Sequence, residues 1–494
     1  MPTLLCHPNL LDFPQAHCRN GSRTKSETEI KILKLSTLAQ VNDELIDVEG
    51  EWWVAGSESN KKFGVLNFDS KNRGVLKVKG HLLNDLLDHG ELTIFGKCAG
   101  RNYTLFSAQM THGNIKMSGN ALVARQDFIT NLIFVDVHAN NQSELRFTKF
   151  KFETHLLDSW LATRDYTLSE TDDAYLLTLT RQTKREFHVK ENFNLAICYQ
   201  SGYRMSSKNI EFHNFPHFET THNDPISVGE FHRNVLIPLL NFMSLANSST
   251  DFLYNLIGTC TIESDEDMPH EVKILSAFRM SSVTANPEKE FRHWIDSNSA
   301  DLEQYLSNWF NLYNSREIIL DEYFTSRYNK DVYLEDQFFR IAKTFESWAK
   351  TVIESKKSTT QEDLELLAHV KSILSDDQFS YLKNKLNSSD SMKDFFLNLI
   401  IKQDGVITDY LSNWSLFVKR LVETRHKYVH VVHKDDLLTY DEMYVALKLL
   451  GLVLIHELLE HIGVPIELVR TRTRTSSEYQ TMLQAKLRMR EDLQ

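Results

Sequence analysis

The pattern of apolar and polar residues changes character near residue 285. Before that point, short segments rich in β-branched and aromatic residues alternate with turn-like sequence at a spacing of roughly ten residues. Examples are "KFGVLNF" (62–68), "GVLKVKG" (74–80) and "ELTIFGK" (91–97). Such regular spacing with alternation predicts an antiparallel sandwich or barrel. We expect one helix, at 228–247, to interrupt the strands.

After about residue 290 the apolar residues recur at three- and four-residue steps, which is typical of amphipathic helices. The segment 333–355 shows this clearly through Phe338, Ile341, Phe345, Trp348 and Val352. Further helices are predicted at 359–374, 391–402, 409–429 and 439–463. The chain is therefore predicted to be α+β, with a β-rich antiparallel N-terminal region followed by an all-α bundle. The predicted parts are a β-rich region of one or two subdomains at 1–285, a helical connector at 286–330, a helical bundle at 331–465 and a basic tail or helix at 466–494.

Composition narrows the class of protein. A chain of 494 residues exceeds one compact core, so about two to four domains are expected. Five cysteines form no CxxC pair and are odd in number, which favours reduced thiols and a cytoplasmic protein. The N-terminus lacks the features of a signal peptide, and no apolar run reaches the ~18–20 residues that span a bilayer. The net charge of −12 means that any nucleic-acid site must be local.

One stretch combines residues suited to phosphate chemistry. "TRHKYVHVVH" (424–433) holds one arginine, one lysine, three histidines and no acid. It is predicted to lie at the C-terminal end of a helix, just before the long final helix. A guanidinium stays charged and offers a planar fork to phosphate oxygens, and a histidine of reference pKa ~6.5 can move protons near neutral pH. Arg425 and His430 are thus candidate catalytic residues, although both could simply stabilise the helix terminus through its dipole.

The spacing of these two residues raises a geometric question. Five helical positions turn through about 500°, so Arg425 and His430 would lie about 140° apart on one helix. The two side chains can meet only if the helix ends or bends between them, or if two copies of the chain come together. The pattern from Arg425 to His430 resembles the motif of the HEPN ribonuclease superfamily, an arginine, a polar residue, a few residues and a histidine on a small helical bundle. With the β-rich segments ahead of it and "FFRIAKTFESWAK" as the first bundle helix, the chain resembles the ApeA-type anti-phage proteins over most of its length.

That resemblance implies a function. It implies that two subunits each contribute one motif to a single cleft, and that RNA is cut without a divalent metal to leave 2′,3′-cyclic phosphate and 5′-hydroxyl ends. His426 occupies the polar second position, where His replaces the common Asn, and Glu346 on the first bundle helix could orient the motif. The β-rich region would restrain the nuclease until a phage-encoded trigger arrives. We therefore expect an abortive-infection endoribonuclease that acts on host RNA, with transfer RNA as a candidate substrate, as a homodimer or larger homo-oligomer.

Other basic and histidine-rich positions are weaker candidates. RNA contacts could come from Lys427, Tyr428, His433, Arg470, Arg472 and Arg474. "HELLEH" (456–461) has the wrong spacing for a zinc-protease helix and is interpreted as the end of a core helix. His213, His217 and His222 are interpreted as surface or turn histidines, so no metal and no cofactor are expected. Two rival functions stay open: a non-catalytic HEPN module that binds a nucleotide or a partner, and an assembly protein in which the motif cements a dimer.

Overall fold

The structure of the protein is a computed structural model that describes most of the chain in two compact units. Unit 1 comprises Met1–Leu240 and Asp251–Thr284, and unit 2 comprises Asn241–Thr250 and Ala285–Gln494. The described residues are 4–5, 46–68, 73–83, 90–118, 121–161, 166–170, 175–179, 182–205, 210–261, 269–276, 293–329, 332–356, 369–376, 378–379, 392–403, 405–430 and 436–493. The division into four parts made from the sequence stays a prediction.

Unit 1 contains a closed barrel of six antiparallel strands. The barrel strands are β2 (Ile46–Val54), β3 (Lys62–Phe68), β4 (Gly74–Lys79), β5 (Leu92–Cys98), β6 (Arg101–Ser118) and β7 (Ala121–Thr130). They pair in the order β6-β5-β2-β3-β4-β7, and β7 pairs again with β6 to close the ring. Closure removes the unpaired edges that would otherwise invite association with other strands. The strand-like segments at 62–68 and 74–80 are confirmed as β3 and β4, which pair with each other.

The barrel interior is filled by one hydrophobic cluster. Trp52 and Leu66 are fully buried within it, and the Trp52 Nε1–H donates to the Gly64 carbonyl at 3.2 Å. The Trp52 indole lies directly over Gly96, where any Cβ would overlap the ring. Glycine at position 96 is therefore a packing requirement, since only a residue without a side chain leaves room for the indole.

The same sheet continues beyond the barrel as an open antiparallel extension. β8 pairs with the first half of β6, and the order then runs β16-β15-β9-β14-β13-β12. The strands are β8 (Leu132–Val135), β9 (Phe147–Thr154), β12 (Arg185–Lys190), β13 (Phe193–Met205), β14 (Ile210–Ile226), β15 (Leu253–Thr261) and β16 (Pro269–Ser276). A separate sheet joins β1 (Leu4–Leu5), β11 (Tyr175–Leu179) and β10 (Tyr166–Glu170). Helix α1 (Leu157–Leu161) follows β9.

The segment containing His213, His217 and His222 is a strand, not a turn. All three residues lie on β14, where the side chains of His217 and His222 are buried. The prediction of a turn was therefore wrong for all three histidines, and the prediction of surface exposure was wrong for His217 and His222. Proline is uncommon within strands, so Pro216 argued against a strand in this segment. It is tolerated because β9 pairs with β14 only from Phe218 onward. At position 216 the second edge of β14 has no β9 neighbour that would require a backbone N–H.

The helix predicted at 228–247 is present but is not a regular α-helix. It begins as α2 (Val228–Phe231), passes through a π-helical turn (His232–Leu236) and continues as α3 (Ile237–Ala246). Ser227 and Glu230 form a capping box at its start. Pro238 lies just after the π turn, and proline lacks the N–H that regular α-helical bonding needs. The π turn absorbs this mismatch within an otherwise continuous helix.

Unit 2 is helical in its described residues, so the predicted α+β fold class is confirmed. The helices are α4 (Leu302–Tyr328), α5 (Leu334–Lys356), α6 (Met392–Lys402), α7 (Trp414–His430), α8 (Tyr440–His461), α9 (Ile466–Thr475) and α10 (Ser477–Lys486). Helix α5 buries all five of the apolar positions expected from its spacing: Phe338, Ile341, Phe345, Trp348 and Val352. The long helix α8 begins at a capping box formed by Thr439 and Glu442. The helix predicted at 359–374 lies largely outside the described residues.

Within the described residues, the helices are all too short or too polar to cross a bilayer.

Candidate active site

The basic motif lies on the last turns of α7. This helix buries an apolar stripe, formed by Phe417, Val418 and Leu421, in the core of unit 2, and Thr424 continues the buried face. Arg425 is the next residue, so its backbone is anchored by packing while its side chain is only half-buried. The helix is continuous from Trp414 to His430, without a break between the two candidate catalytic positions. Arg425 and His430 therefore occupy positions about 140° apart on one helix.

Arg425 is held by a carboxylate from the first bundle helix. Its Nη2 lies 2.5 Å from Oε2 of Glu346 on α5, and the two side chains are 15% and 11% exposed. The other oxygen of Glu346 accepts a hydrogen bond from Lys350 at 2.6 Å. Nη1 of Arg425 contacts the Met392 sulfur at 3.7 Å. Its Nε is buried and has no hydrogen-bond partner among the described residues. The guanidinium is thus fixed in place, and the described part of the chain provides no acceptor for its Nε–H.

The segment after the motif is tied back to α7. The buried Thr424 hydroxyl accepts the backbone N–H of Leu438 at 2.9 Å and donates to the Arg420 carbonyl at 2.7 Å. Leu438 precedes α8 directly, since Thr439 is the N-cap of that helix. Thr424 therefore links the end of the motif helix to the start of the next one, immediately beside Arg425.

The C-terminal segment reinforces this link through an ionic cluster. Arg420, only 6% exposed, donates to Asp436 at 2.7 Å and to both oxygens of Asp492, at 2.9 and 2.6 Å. Arg490 donates to both oxygens of Glu442, at 2.8 and 2.6 Å. We call these five residues the C-terminal clamp. The clamp connects α7, the start of α8 and the chain end, so residues 466–493 form packed helices and a docked terminus rather than a solvated tail.

The remaining residues of the motif are described only in part. His426 is half-buried and Lys427 is exposed, as an RNA-contacting lysine would be. Tyr428 and His430 lie on α7, but their side chains are outside the described residues. His433 lies outside the described residues altogether.

The three arginines of α9 do not share one surface. Arg470 donates to Glu467 at 2.6 Å, and Arg474 is exposed four residues later on the same helical face. Arg472 points to a different side, where burial lowers the pKa of its guanidinium and its Nη1 has no hydrogen-bond partner among the described residues. Helical geometry therefore separates Arg472 from Arg470 and Arg474. A contact between these residues and RNA stays a prediction.

Two family models match the chain. The model described as ApeA N-terminal domain 1 matches residues 47–309, and the model described as Apea-like HEPN matches residues 339–468. The first match alone covers more than half of the chain. The chain belongs to the ApeA-like HEPN anti-phage proteins. Comparison with curated proteins and with solved structures returned no significant match.

The Apea-like HEPN match includes Glu346 and Arg425, most of α5 and all of α7. HEPN domains are generally of the ribonuclease type, typically act on RNA and often dimerise. The family assignment therefore supports a role as a defence nuclease.

The "HELLEH" segment of this HEPN domain is a buried polar junction, as predicted for the end of a core helix. His456 is 1% exposed and bonds to Gln403 at 3.1 Å and to Thr473 at 2.6 Å. Gln403 in turn donates to the fully buried Glu457 at 2.6 Å, and Lys402 donates to the same oxygen at 2.9 Å. Burial lowers the pKa of His456 to about 4, so its imidazole is neutral at physiological pH.

Sequence reasoning missed several residues that support Arg425. Lys350 could have been found, because a lysine four residues after Glu346 lies on the same helical face. Met392 and the C-terminal clamp could not, since the Arg420–Asp492 pair joins residues 72 positions apart. Only the packed bundle brings such distant residues together.

Proposed function

We propose that this HEPN protein is a metal-independent endoribonuclease that cleaves host RNA during phage infection, with transfer RNA as the candidate substrate class. The observation that carries the proposal is the state of Arg425. A guanidinium fixed by Glu346 and partly exposed at the surface of the helix is suited to hold a phosphate whose negative charge grows in the transition state. Exposed Lys427 lies two residues further on and can add attraction for the RNA backbone.

The proposed chemistry divides between two residues. Arg425 binds non-bridging oxygens of the scissile phosphate and stabilises their charge. His430 removes the proton from the ribose 2′-hydroxyl or delivers one to the leaving 5′-oxygen. The 2′-oxygen attacks phosphorus as the bond to the 5′-oxygen breaks, which yields a 2′,3′-cyclic phosphate and a 5′-hydroxyl. His426 would assist in positioning the phosphate.

The continuity of α7 favours a site built from two subunits. Of the two ways in which Arg425 and His430 could converge, a helix break between them is absent from α7. Positions about 140° apart on one helix do not face a common phosphate. Two copies of α7 packed together would place the arginine of one subunit opposite the histidine of its partner. We therefore propose a homodimer as the smallest active form.

Control of such an enzyme is part of the proposal. A nuclease that acts on host RNA must be inactive before infection, so the β-rich region is proposed to hold it in a low-activity state. A phage-encoded trigger would shift the population toward the active state by binding that state more tightly.

The test compares wild type with Arg425→Ala and His430→Ala, using Lys419→Ala as a matched control. Lys419 is an exposed cation on the same helix, six residues before Arg425. Each purified full-length protein is incubated with total bacterial RNA in EDTA, and fragment ends are mapped. We expect cyclic-phosphate ends from wild type and Lys419→Ala, and a loss of about 10²-fold or more from the other two variants.

The outcome that overturns the proposal is also defined. If folded wild type cleaves no RNA in vitro, the same four proteins are expressed in cells during phage infection, and RNA ends are mapped again. An absence of motif-dependent cleavage there would identify a binding module without catalysis. A mass measurement in solution that finds only monomers in an active preparation would refute the two-subunit site.

A further inference from the structure

One cluster in unit 1 has the composition and geometry of a metal site. Among the described residues, Cys198, His217 and Glu219 each offer one ligand atom, and these atoms all lie within 4.8 Å of one another. Cys198 and His217 are direct cross-strand partners on β13 and β14, so their side chains share a face of the sheet. Glu219 follows His217 by two residues and points to that same face. The register of two strands, rather than a local motif, assembles the group.

The three atoms are oriented toward one another. The Cys198 thiol donates to Oε1 of Glu219 at 2.7 Å, and Nε2 of His217 lies 4.0 Å from that oxygen. Ligands around a tetrahedral zinc ion are separated by about 3.3–3.7 Å, given metal–ligand bonds of about 2.0–2.3 Å. Shifts of under about 1 Å would therefore bring the three atoms to the spacing that zinc requires.

The imidazole of His217 is held in the tautomer that a metal needs. Its Nδ1 lies 3.3 Å from the Phe215 carbonyl, to which only an N–H can donate. The lone pair is therefore on Nε2, the nitrogen that faces Glu219 and Cys198. A ligating histidine usually donates its second N–H to a backbone carbonyl or a carboxylate in this way.

The neighbouring groups fix the carboxylate and balance the charge. Lys149 pairs with Oε2 of Glu219, which leaves Oε1 turned toward the cluster. Cys198 and His217 are 7% and 6% exposed, so the ligand atoms lie below the surface of the sheet. The thiolate and the carboxylate together match the two positive charges of the cation, and the added charge of the Lys149 ammonium, which is 42% exposed, is screened by solvent. Such compensation is what a buried ion requires.

We propose that Cys198, His217 and Glu219 bind one zinc-class divalent cation, with a fourth position open to water or to an external ligand. Thiolate with imidazole selects zinc over the harder cations magnesium and calcium, which prefer oxygen ligands. On binding, the Cys198 S–H bond breaks, a sulfur–metal bond forms and the proton passes to solvent. No electron is transferred. No metal was expected from the sequence, because His217 was interpreted as a surface or turn residue and Cys198 lies some twenty residues before it.

The test measures metal binding by the full-length protein and does not depend on nuclease activity. Equilibrium dialysis against zinc, followed by elemental analysis, is expected to give one ion per wild-type chain. Cys198→Ser and His217→Gln should each lower the affinity by about tenfold or more. Cys98→Ser is the matched control, since Cys98 is another buried free cysteine of unit 1.

Cobalt supplies a second and independent readout. Cobalt-loaded wild type and Cys98→Ser should show a thiolate-to-cobalt charge-transfer band in the near ultraviolet, and cobalt-treated Cys198→Ser should lack it. Circular dichroism verifies that each variant is folded. If Cys198→Ser or His217→Gln is not folded, Glu219→Gln replaces it as the ligand variant. A wild type that binds no zinc, or one whose zinc and cobalt binding survives loss of both Cys198 and His217, overturns the proposal.

Discussion

Asp251 in unit 1 and Glu442 in unit 2 are both buried, but their carboxylates face different partners. Asp251 accepts the backbone N–H groups of Leu156 at 2.9 Å and Phe252 at 3.0 Å. Burial outweighs these bonds and raises the pKa of Asp251 to about 7. Glu442 accepts two hydrogen bonds from the Arg490 guanidinium. Burial also opposes its charge, but the bonds from Arg490 and from Thr439 outweigh burial and lower the pKa of Glu442.

This difference extends to the two candidate sites. In unit 2, Glu346 is shared by Arg425 and Lys350, so two cations meet one carboxylate and the local excess charge is positive. Such a place attracts an anion such as phosphate. In unit 1, one oxygen of Glu219 pairs with Lys149, and the other faces a thiol and an imidazole, which become cation ligands when the thiol loses its proton. The partners of a carboxylate, rather than its burial alone, decide which charge a site can accept.

The comparison predicts opposite responses of the two units to acid. Because the folded pKa of Asp251 is raised, the unfolded state releases its proton first as pH rises. Stability from this group is complete below about pH 4 and falls as pH approaches 7. For Glu442 the sign is reversed, since a lowered pKa supports stability at neutral pH that is lost as pH falls below the ordinary glutamate pKa and through the lowered folded value.

The largest expected effect follows from replacing Asp251. In wild type a shift of about three units, at ~1.4 kcal/mol each, costs unit 1 about 4 kcal/mol of unfolding free energy in total. About 3 kcal/mol of this falls between pH 4 and pH 7, because the unfolded group is half-titrated near pH 4 and the folded group near pH 7. Asp251→Asn keeps an oxygen that can accept the two N–H groups and removes the charge. Urea unfolding at both pH values should show that the pH-dependent loss disappears. Exposed Asp224→Asn is the control, and an equal loss in wild type and Asp251→Asn would contradict the comparison.

The next effect tests unit 2 by removing the cation that faces Glu442. Arg490→Ala leaves a fully buried carboxylate without its partner, which we expect to cost about 2–3 kcal/mol, a moderate value because the guanidinium is 35% exposed. Arg488→Ala, an exposed neighbour, should cost less than about 0.5 kcal/mol. Hydrogen exchange of peptides from α8 locates the loss. Adding Glu442→Gln to Arg490→Ala should recover part of the stability, and a further loss would show that the charge is not the cause.

Features that depend on neighbouring residues in the sequence could be predicted, whereas features that depend on contacts between distant residues could not. The apolar face of α5 and the placement of Arg425 follow from spacing within one helix, so both could be predicted. β14 could not, because Pro216 is acceptable only where β9 is not yet paired. The raised pKa of Asp251 and the Cys198 cluster could not be predicted either. Their environments come from strand register and from contacts between distant residues, such as Leu156 with Asp251.

A smaller effect is expected from replacing Glu346, and it tests whether this residue orients Arg425 or supports RNA binding. The prediction rests on the proposed nuclease activity. Glu346→Gln keeps the shape of the side chain but weakens its hold on the guanidinium. We expect kcat for RNA cleavage to fall about tenfold with KM little changed, because a misplaced group costs rate more than affinity. Single-turnover and steady-state kinetics on one mapped RNA substrate provide both constants. A rise in KM alone would mean that Glu346 supports RNA binding instead.

The smallest effect concerns Lys350, which shares Glu346 with Arg425. This lysine is 47% exposed and forms an i,i+4 pair on α5, a geometry worth about 0.3–0.5 kcal/mol. Lys350→Ala should therefore change stability by no more than that amount, measured by urea unfolding at pH 7. With Lys350 gone, Glu346 remains paired with Arg425, so kcat should stay within about twofold of wild type, well short of the tenfold fall of Glu346→Gln. A fall as large as that of Glu346→Gln would show that both cations, and not Arg425 alone, define the positive character of the site.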